Sequence, residues 1–110
     1  MRKPLEQDIV NQCLQWLALR RVWVWRQNSG AMVAGRGRAR RYVRFNGAPG
    51  CSDILGILPG GTFLAVEVKR PGGRPTSAQE DFLDHVRLLG GCGLLVHSLA
   101  ELEASLEGIL

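Results

Sequence analysis

The pattern of apolar residues is clearest in the middle of the chain, where two apolar runs, Ile54–Leu58 and Thr62–Val68, flank the sequence Pro59-Gly60-Gly61. Short runs separated by Pro and Gly predict a β-hairpin. Alternate residues of a strand point to opposite faces, and here both sets are largely apolar. A hairpin of this kind is typical of the middle of a sheet that is covered on both faces.

Before the hairpin, the pattern predicts a helix, a strand, a loop and a second strand. Pro4–Leu19 carries apolar residues at helical spacing, with proline in a starting position. Arg21–Trp25 alternates and is rich in Val and Trp, which favours a short strand. The segment from Gly30 to Arg41 has no apolar period and is interpreted as a mobile loop. Tyr42–Phe45 is predicted to be the next strand.

After the hairpin, the pattern predicts a helix, a strand and a final helix. Thr76 or Ser77 can cap the first of these helices, and Gln79 or Glu80 can complete a capping box. Gly90-Gly91 ends this helix. Its apolar stripe is expected to consist of Phe82, Leu83, Val86 and Leu89.

A last strand is predicted at Leu94–His97, and Ser98 with Glu101 can cap the final helix. Residues expected to pack inward from that helix are Leu99, Leu102, Leu106 and Ile109. The element order is then α-β-β-β-β-α-β-α. We therefore expect an α/β fold in which one domain, residues 1–110, has a mixed sheet with helices on both faces.

Charge and cysteine content narrow the class of protein. Fourteen Lys and Arg against ten Asp and Glu give a net charge of +4, and the stretch from Arg26 to Arg44 holds six basic residues and no acidic one. This distribution favours a polyanionic partner. Three widely spaced cysteines argue against zinc and against a disulfide framework. Because the sequence has neither a membrane-length apolar run nor a signal-peptide core, we expect an intracellular, reducing compartment.

The hairpin also predicts a pair of carboxylates. If Leu58 faces Thr62 across the turn, Asp53 lies opposite Glu67, and Lys69 shares the face of Glu67. Two carboxylates ~5 Å apart repel by about 3 kcal/mol at an effective dielectric constant of ~20. A shared proton or a hard cation such as Mg²⁺ would offset this repulsion. The alternative is that Asp53 merely ends a loop and Glu67 pairs with Lys69 on an exposed edge.

An Asp followed by Glu-x-Lys on a hairpin resembles the PD-(D/E)xK nucleases. Three blocks in order, QNSGA at 27–31, GAPGCSD at 47–53 and EVKRPGGRPTSAQ at 67–79, resemble the virus-type replication-repair nuclease (VRR-NUC) branch of that superfamily. The resemblance covers nearly the whole chain and implies a restriction-endonuclease-like core. Ser52 stands where the superfamily name has proline, a residue that shapes the backbone and binds no metal.

The resemblance implies a metal site. Asp53 and Glu67, with Glu6 and the backbone carbonyl of Val68, would hold one or two Mg²⁺ ions, and Mn²⁺ would substitute. Glu6 lies on the apolar stripe of the first helix, where a carboxylate is unusual. Its alternative role is a solvated first-turn residue that the helix dipole favours.

Further roles are assigned to Lys69 and Gln79. Lys69 would position the attacking water and stabilise the charged transition state. The resemblance gives Gln79 a hydrogen bond to that water or to the scissile phosphate; the alternative is a capping residue. Phosphate contacts are expected from two Gly-rich basic segments, and the first resemblance block adds two polar residues. The nucleic-acid-binding candidates are Asn28, Ser29, Arg36, Arg38, Arg40, Arg41, Arg44, Arg70 and Arg74.

With the resemblance, these features imply a metal-dependent DNA endonuclease acting on branched DNA such as Holliday junctions, bacterial or phage-encoded and cytoplasmic, with a role in DNA repair. A homodimer is expected because a two-fold axis matches paired cuts in a four-way junction. Trp16, Trp23 and Trp25 could supply its interface or could fill the core. Two alternatives remain: a catalytically inactive module that binds branched nucleic acid, and an RNA-binding or assembly protein in which the hairpin is only core.

Overall fold

The computed structural model describes residues 5–27, 31–44 and 48–110, and their fold is α/β. The described elements are α1 (Glu6–Leu19), β1 (Trp23–Arg26), β2 (Ala31–Ala34), a 3-10 turn (Gly37–Ala39), β3 (Arg41–Arg44), β4 (Ile54–Ile57), β5 (Phe63–Val68), α2 (Ser77–Leu88), β6 (Cys92–Val96) and α3 (Leu99–Leu106). Within those ranges, no helix combines the length and apolarity that crossing a bilayer requires.

The main sheet has four strands in the order β1-β4-β5-β6. β1, β4 and β5 pair antiparallel, whereas β5 and β6 pair parallel, so the sheet is mixed. The predicted hairpin register is confirmed: Ile54 pairs with Val66, and the Leu58 N–H donates to the carbonyl of Thr62 at 2.8 Å. The hairpin strands occupy the middle of the sheet, as their apolar faces require.

Helices lie on both faces of the sheet. α1 and α3 bury the face that carries Ile54, Leu64 and Val66, together with the apolar residues of the two helices. α2 lies over the opposite face of β5 and β6, where Gly93 lets it approach closely: a Cβ at Gly93 would sit 3.0 Å from the carbonyl oxygen of Leu83. The prediction of helices on both faces is therefore confirmed.

The β1–β4 part of the α2 face is less covered than predicted. Trp23 is 70% exposed and Trp25 is 38% exposed, and their rings meet edge to face with centroids 5.7 Å apart. Both residues pair with half-buried residues of β4. Trp16 is half-buried against the core, with the Arg20 guanidinium 5.1 Å from its ring centroid. The three tryptophans therefore do not simply fill the core.

The prediction of a loop from Gly30 to Arg41 is wrong for Ala31–Ala34 and for Arg41, which lie in strands. β2 pairs with β3 in a separate two-stranded antiparallel sheet, in which Ala31 faces Arg44 and Ala34 faces Arg41. Four residues, Ala-Met-Val-Ala, are too few to show an apolar period, and the pairing partner supplies the order that the local pattern lacks. Pro4, Gly30 and Phe45 lie outside the described residues.

Several predicted ends of elements also shift. Arg21 adopts a positive φ of 63° in the turn after α1, so β1 begins only at Trp23. Leu89 and Ile109 are exposed because α2 and α3 end before them. None of the three cysteines, all of which lie within the described residues, forms a disulfide, and burial raises the pKa of Cys13 to about 11, with a smaller contribution from the Glu103 carboxylate.

Candidate active site

Asp53 is anchored to both strands that flank it. It precedes β4, and its carbonyl oxygen accepts a hydrogen bond from the Gln27 N–H at 2.7 Å. Its carboxylate oxygen Oδ2 accepts from the Val68 N–H at 2.8 Å. The bond to Val68 fixes the Asp53 side chain beside β5, where Glu67 is the preceding residue. The structure therefore brings Asp53 and Glu67 together, as the hairpin register predicts.

Glu67 is a buried carboxyl group in an unfavourable environment for charge. Its side chain is 2% exposed, and among the described residues its Oε2 atom finds no hydrogen-bond partner. Burial raises the pKa of Glu67 from 4.5 to about 8, the Asp53 carboxylate adds to the rise, and Lys69 opposes it. A proton on Glu67 thus relieves the predicted carboxylate repulsion when no cation is bound.

Lys69 lies at the same end of the sheet. Its Nζ atom is 4.0 Å from Glu67 Oε1, and its side chain is 15% exposed. Its backbone N–H donates to the Val96 carbonyl at 3.0 Å, which ties it to β6. Because β5 is a central strand, the alternative of a Glu67–Lys69 pair on an exposed edge is wrong. Asp53 and Lys69, both half-buried, and the buried Glu67 form a cluster of two carboxyl groups and one ammonium group.

Among the described residues, the structure does not complete a metal cluster with Glu6. Glu6 is half-buried at the start of α1. Within the described residues, no three His, Cys, Asp or Glu side chains converge as metal ligands. The roles of Glu6 and of the Val68 carbonyl as ligands stay predictions.

Gln79 belongs to the first turn of α2. The Thr76 hydroxyl accepts from the Gln79 N–H at 3.2 Å, and Gln79 Oε1 accepts from the Thr76 N–H at 2.9 Å. This reciprocal pair confirms the predicted capping box. The contact of Gln79 with water or phosphate stays a prediction.

Gly50 brings the loop before Asp53 against the start of α2. It has a φ of 72°, and a Cβ there would lie 2.1 Å from the Ala78 carbonyl oxygen and 2.6 Å from the Gln79 nitrogen. Only glycine allows this backbone approach. The contact explains why the block that ends in Asp53 carries glycine at this position.

The basic candidates occupy two places. Arg36, Arg38 and Arg40 are exposed in and around the 3-10 turn that joins β2 to β3, and Arg41 and Arg44 are the ends of β3. Asn28 and Ser29 lie outside the described residues. The first basic segment thus consists of the connection between β2 and β3 and of β3 itself, which matches the predicted placement on a loop and its exit strand.

Arg70 and Arg74 are exposed on either side of a tight turn that follows β5. The Gly73 N–H donates to the Arg70 carbonyl at 2.8 Å, and Gly72 has a φ of 84°. Pro at the second position and a positive-φ glycine at the third are the residues that a type II β-turn favours. The second basic segment is therefore an ordered turn that begins one residue after Lys69.

Two features of the site are not evident in the sequence. His97 contacts the carbonyl oxygen of Gly73 through Nε2 at 3.0 Å and Glu101 Oε2 through Nδ1 at 3.2 Å. Ser52 is fully buried, and its Oγ has no hydrogen-bond partner among the described residues. The Ser98–Glu101 cap could have suggested the Glu101 contact, since it places Glu101 one turn from His97. The Gly73 contact joins distant parts of the chain and leaves no local signal.

Comparison with known proteins adds no family assignment to this geometry. No protein-family model matches the chain, and a search of curated proteins finds no significant match. The functional conclusion therefore rests on the site itself and on the resemblance of its sequence blocks.

Proposed function

We propose that this protein is a Mg²⁺-dependent DNA endonuclease of the VRR-NUC type, with a PD-(D/E)xK site at the end of β4 and β5. The main support is Glu67, a buried carboxyl group beside Asp53 with one oxygen unpartnered among the described residues and a pKa raised to about 8. A buried polar atom without a partner lowers stability, and its presence calls for an explanation such as a bound ion or a catalytic role. Both carboxylates therefore fit a hard cation, which prefers oxygen ligands.

The residues of the site have distinct roles in this proposal. Asp53 and Glu67 would hold Mg²⁺, together with Glu6 and the Val68 carbonyl, and Mn²⁺ would substitute. When bound there, the ion would supply Lewis-acid polarisation of a phosphate oxygen and a more acidic water. The Val68 N–H keeps the Asp53 carboxylate oriented. Lys69, 4.0 Å from Glu67, positions the water and stabilises the negative charge that develops on the phosphate, and Gln79 donates to the same groups.

The substrate in this proposal is branched DNA, held through its phosphates by the two arginine segments, in the cytoplasm and during DNA repair. The exposed arginines of the β2–β3 turn and of the turn after β5 support backbone contacts without sequence reading.

The working unit in this proposal is a homodimer. β1 is an edge strand that exposes Trp23 and Trp25 on one face. Exposed aromatic residues favour an interface, and a second copy of the chain would give the two-fold symmetry that paired cuts in a four-way junction require.

Cleavage assays test the proposal against an inactive module that only binds branched nucleic acid. Labelled duplex, flap and four-way DNA are incubated with the protein in Mg²⁺, Mn²⁺ or EDTA. We expect metal-dependent cleavage that Glu67→Gln abolishes, with DNA binding intact or tighter because one charge that repels phosphate is removed. Binding without cleavage by the wild-type protein in either metal would favour the inactive module. Full activity of Glu67→Gln would contradict the site assignment.

A further inference from the structure

The turn at residues 70–73, which follows the candidate site, contacts one histidine from a distant part of the chain. His97 directly follows β6, next to Val96, whose carbonyl accepts the Lys69 N–H at 3.0 Å. Its Nε2 atom lies 3.0 Å from the Gly73 carbonyl oxygen. Because a carbonyl can only accept, Nε2 carries the proton and donates it. The exit of the Arg70–Gly73 turn is thereby joined to the end of β6, beside the strand that carries Lys69.

The His97 ring is itself oriented by the first turn of α3. Nδ1 lies 3.2 Å from Glu101 Oε2, and the same oxygen accepts the His97 backbone N–H at 2.7 Å. Glu101 is in turn held by its backbone N–H, which donates to the Ser98 hydroxyl at 3.2 Å. The ring therefore lies between a helix cap and the basic turn. Nε2–H makes the hydrogen bond to Gly73, and the Nδ1 contact with Glu101 becomes a hydrogen bond when Nδ1 also carries a proton.

We propose that His97 is a positioning residue for nucleic-acid binding, which acts by holding the turn so that Arg70 and Arg74 face the phosphate backbone next to Lys69. This inference rests on the proposed function. A turn containing Gly72 and Gly73 has many accessible conformations when it is free. Binding must then order it, and that entropic cost weakens affinity. When His97 is bonded to Gly73, the turn is already ordered in the folded protein, so DNA binding does not have to supply the entropic cost of ordering it.

Substitution of His97 should change binding and leave the chemical step nearly intact. We expect His97→Ala to weaken DNA affinity and to raise KM about two- to tenfold, the range for one hydrogen bond, with kcat changed less than about twofold. The slope of log affinity against log salt should not change, since both arginines remain. Arg70→Ala, by contrast, should reduce that slope by about 0.9.

Two conservative variants test the contacts of the two ring nitrogens of His97 independently. In His97→Gln the side-chain amide nitrogen can take the place of Nε2 and donate to Gly73, whereas His97→Asn places its amide near Nδ1 and retains only the Glu101 side. We expect Gln to restore affinity to within about twofold of wild type and Asn to behave like Ala. Equal affinities for wild type, Gln and Asn, or rescue by Asn and not by Gln, would overturn the inference.

Hydrogen exchange measures the turn without DNA. The Gly73 amide, which donates to Arg70, should lose protection in His97→Ala and His97→Asn and keep it in His97→Gln; unchanged protection in all three would also overturn the inference. If His97→Ala does not fold by circular dichroism, the Gln and Asn variants, which fill similar space, decide the question. Wild-type protein that neither binds nor cuts DNA would overturn the proposed function and this inference with it, whereas normal wild-type binding that His97 variants leave unchanged would overturn this inference alone.

Discussion

The buried Glu67 predicts an unusual dependence of stability on pH in the absence of metal. Its pKa is about 8 in the folded protein against 4.5 ordinarily. The folded state therefore holds a proton that the unfolded state releases between these pH values, and stability falls as pH rises through that interval. Each tenfold difference in proton affinity is worth about 1.4 kcal/mol, so the total decrease approaches about 5 kcal/mol above pH 8. That decrease is as large as the entire stability of many small domains.

Urea denaturation followed by tryptophan fluorescence, from pH 5 to pH 9 in EDTA, measures this effect. Glu67→Gln should remove most of the fall, because an amide keeps the shape of the protonated carboxyl and cannot ionise. All other ionisable groups are common to both proteins, so the difference between the two curves reports Glu67 together with its coupling to Asp53. The exposed Glu107→Gln is a matched control that should keep the wild-type curve.

Mg²⁺ should restore the stability of the wild-type protein at high pH. Binding to the folded state alone adds about 2.7 kcal/mol when the free concentration is a hundred times Kd. Glu67→Gln should gain less, since it lacks one of the three carboxylates proposed as ligands. A wild-type curve that is flat from pH 5 to pH 8 in EDTA, or a Glu67→Gln curve with the same fall, would refute the reasoning about this site.

Other predictions concern the basic turn, the glycine contact, the buried serine and the dimer. Replacing Arg36, Arg38 and Arg40 with Ala should weaken binding to all DNA sequences about equally and reduce the salt slope by roughly 0.9 for each phosphate that is no longer neutralised; a changed sequence preference with an unchanged slope would count against backbone recognition. Gly50→Ala should destabilise the fold by at least about 2 kcal/mol in urea denaturation, whereas Gly60→Ala, which also has positive φ but an open space around its Cβ, should cost less; equal costs would remove the role of the Ala78 contact. Ser52→Ala should be neutral or stabilising by about 1 kcal/mol, because it removes a buried hydroxyl without a described partner, and Ser98→Ala, which removes a helix cap, should destabilise by about 1 kcal/mol; a clear decrease in the stability of Ser52→Ala would reveal a partner for that hydroxyl. Light scattering at micromolar concentration should give a dimer that Trp23→Ser weakens at least tenfold, and a protein that stays monomeric on four-way DNA and makes unpaired cuts would contradict the dimer.

The central hairpin was predictable because its turn and its register are both local. The three-residue turn fixes which residues face each other, and the same counting that pairs Ile54 with Val66 brings Asp53 beside Glu67. Helix caps at Thr76 and Ser98 are likewise encoded within four residues. Local sequence therefore determined the part of the site that lies on β4 and β5.

The features that the sequence did not predict depended on contacts between distant segments. β2 forms because β3 pairs with it, although its own four residues show no period. Gly50 and His97 each contact a segment more than twenty residues away, Ala78 in one case and Gly73 in the other. No counting rule along the chain predicts such contacts, because they depend on how helices and turns pack at the end of the sheet.

The two buried polar atoms near Asp53 show why burial alone does not identify a functional group. Ser52 Oγ and Glu67 Oε2 both lack a hydrogen-bond partner among the described residues. A neutral hydroxyl without a partner costs a modest amount of free energy and can be left over from packing. The Glu67 carboxyl group is different, because the free-energy cost of burying it rises when it ionises, and the Asp53 carboxylate repels the ionised form. Since a bound cation relieves both terms at once, Glu67 is the buried group whose presence a metal site explains, and the pH dependence of stability is the property that distinguishes it from Ser52.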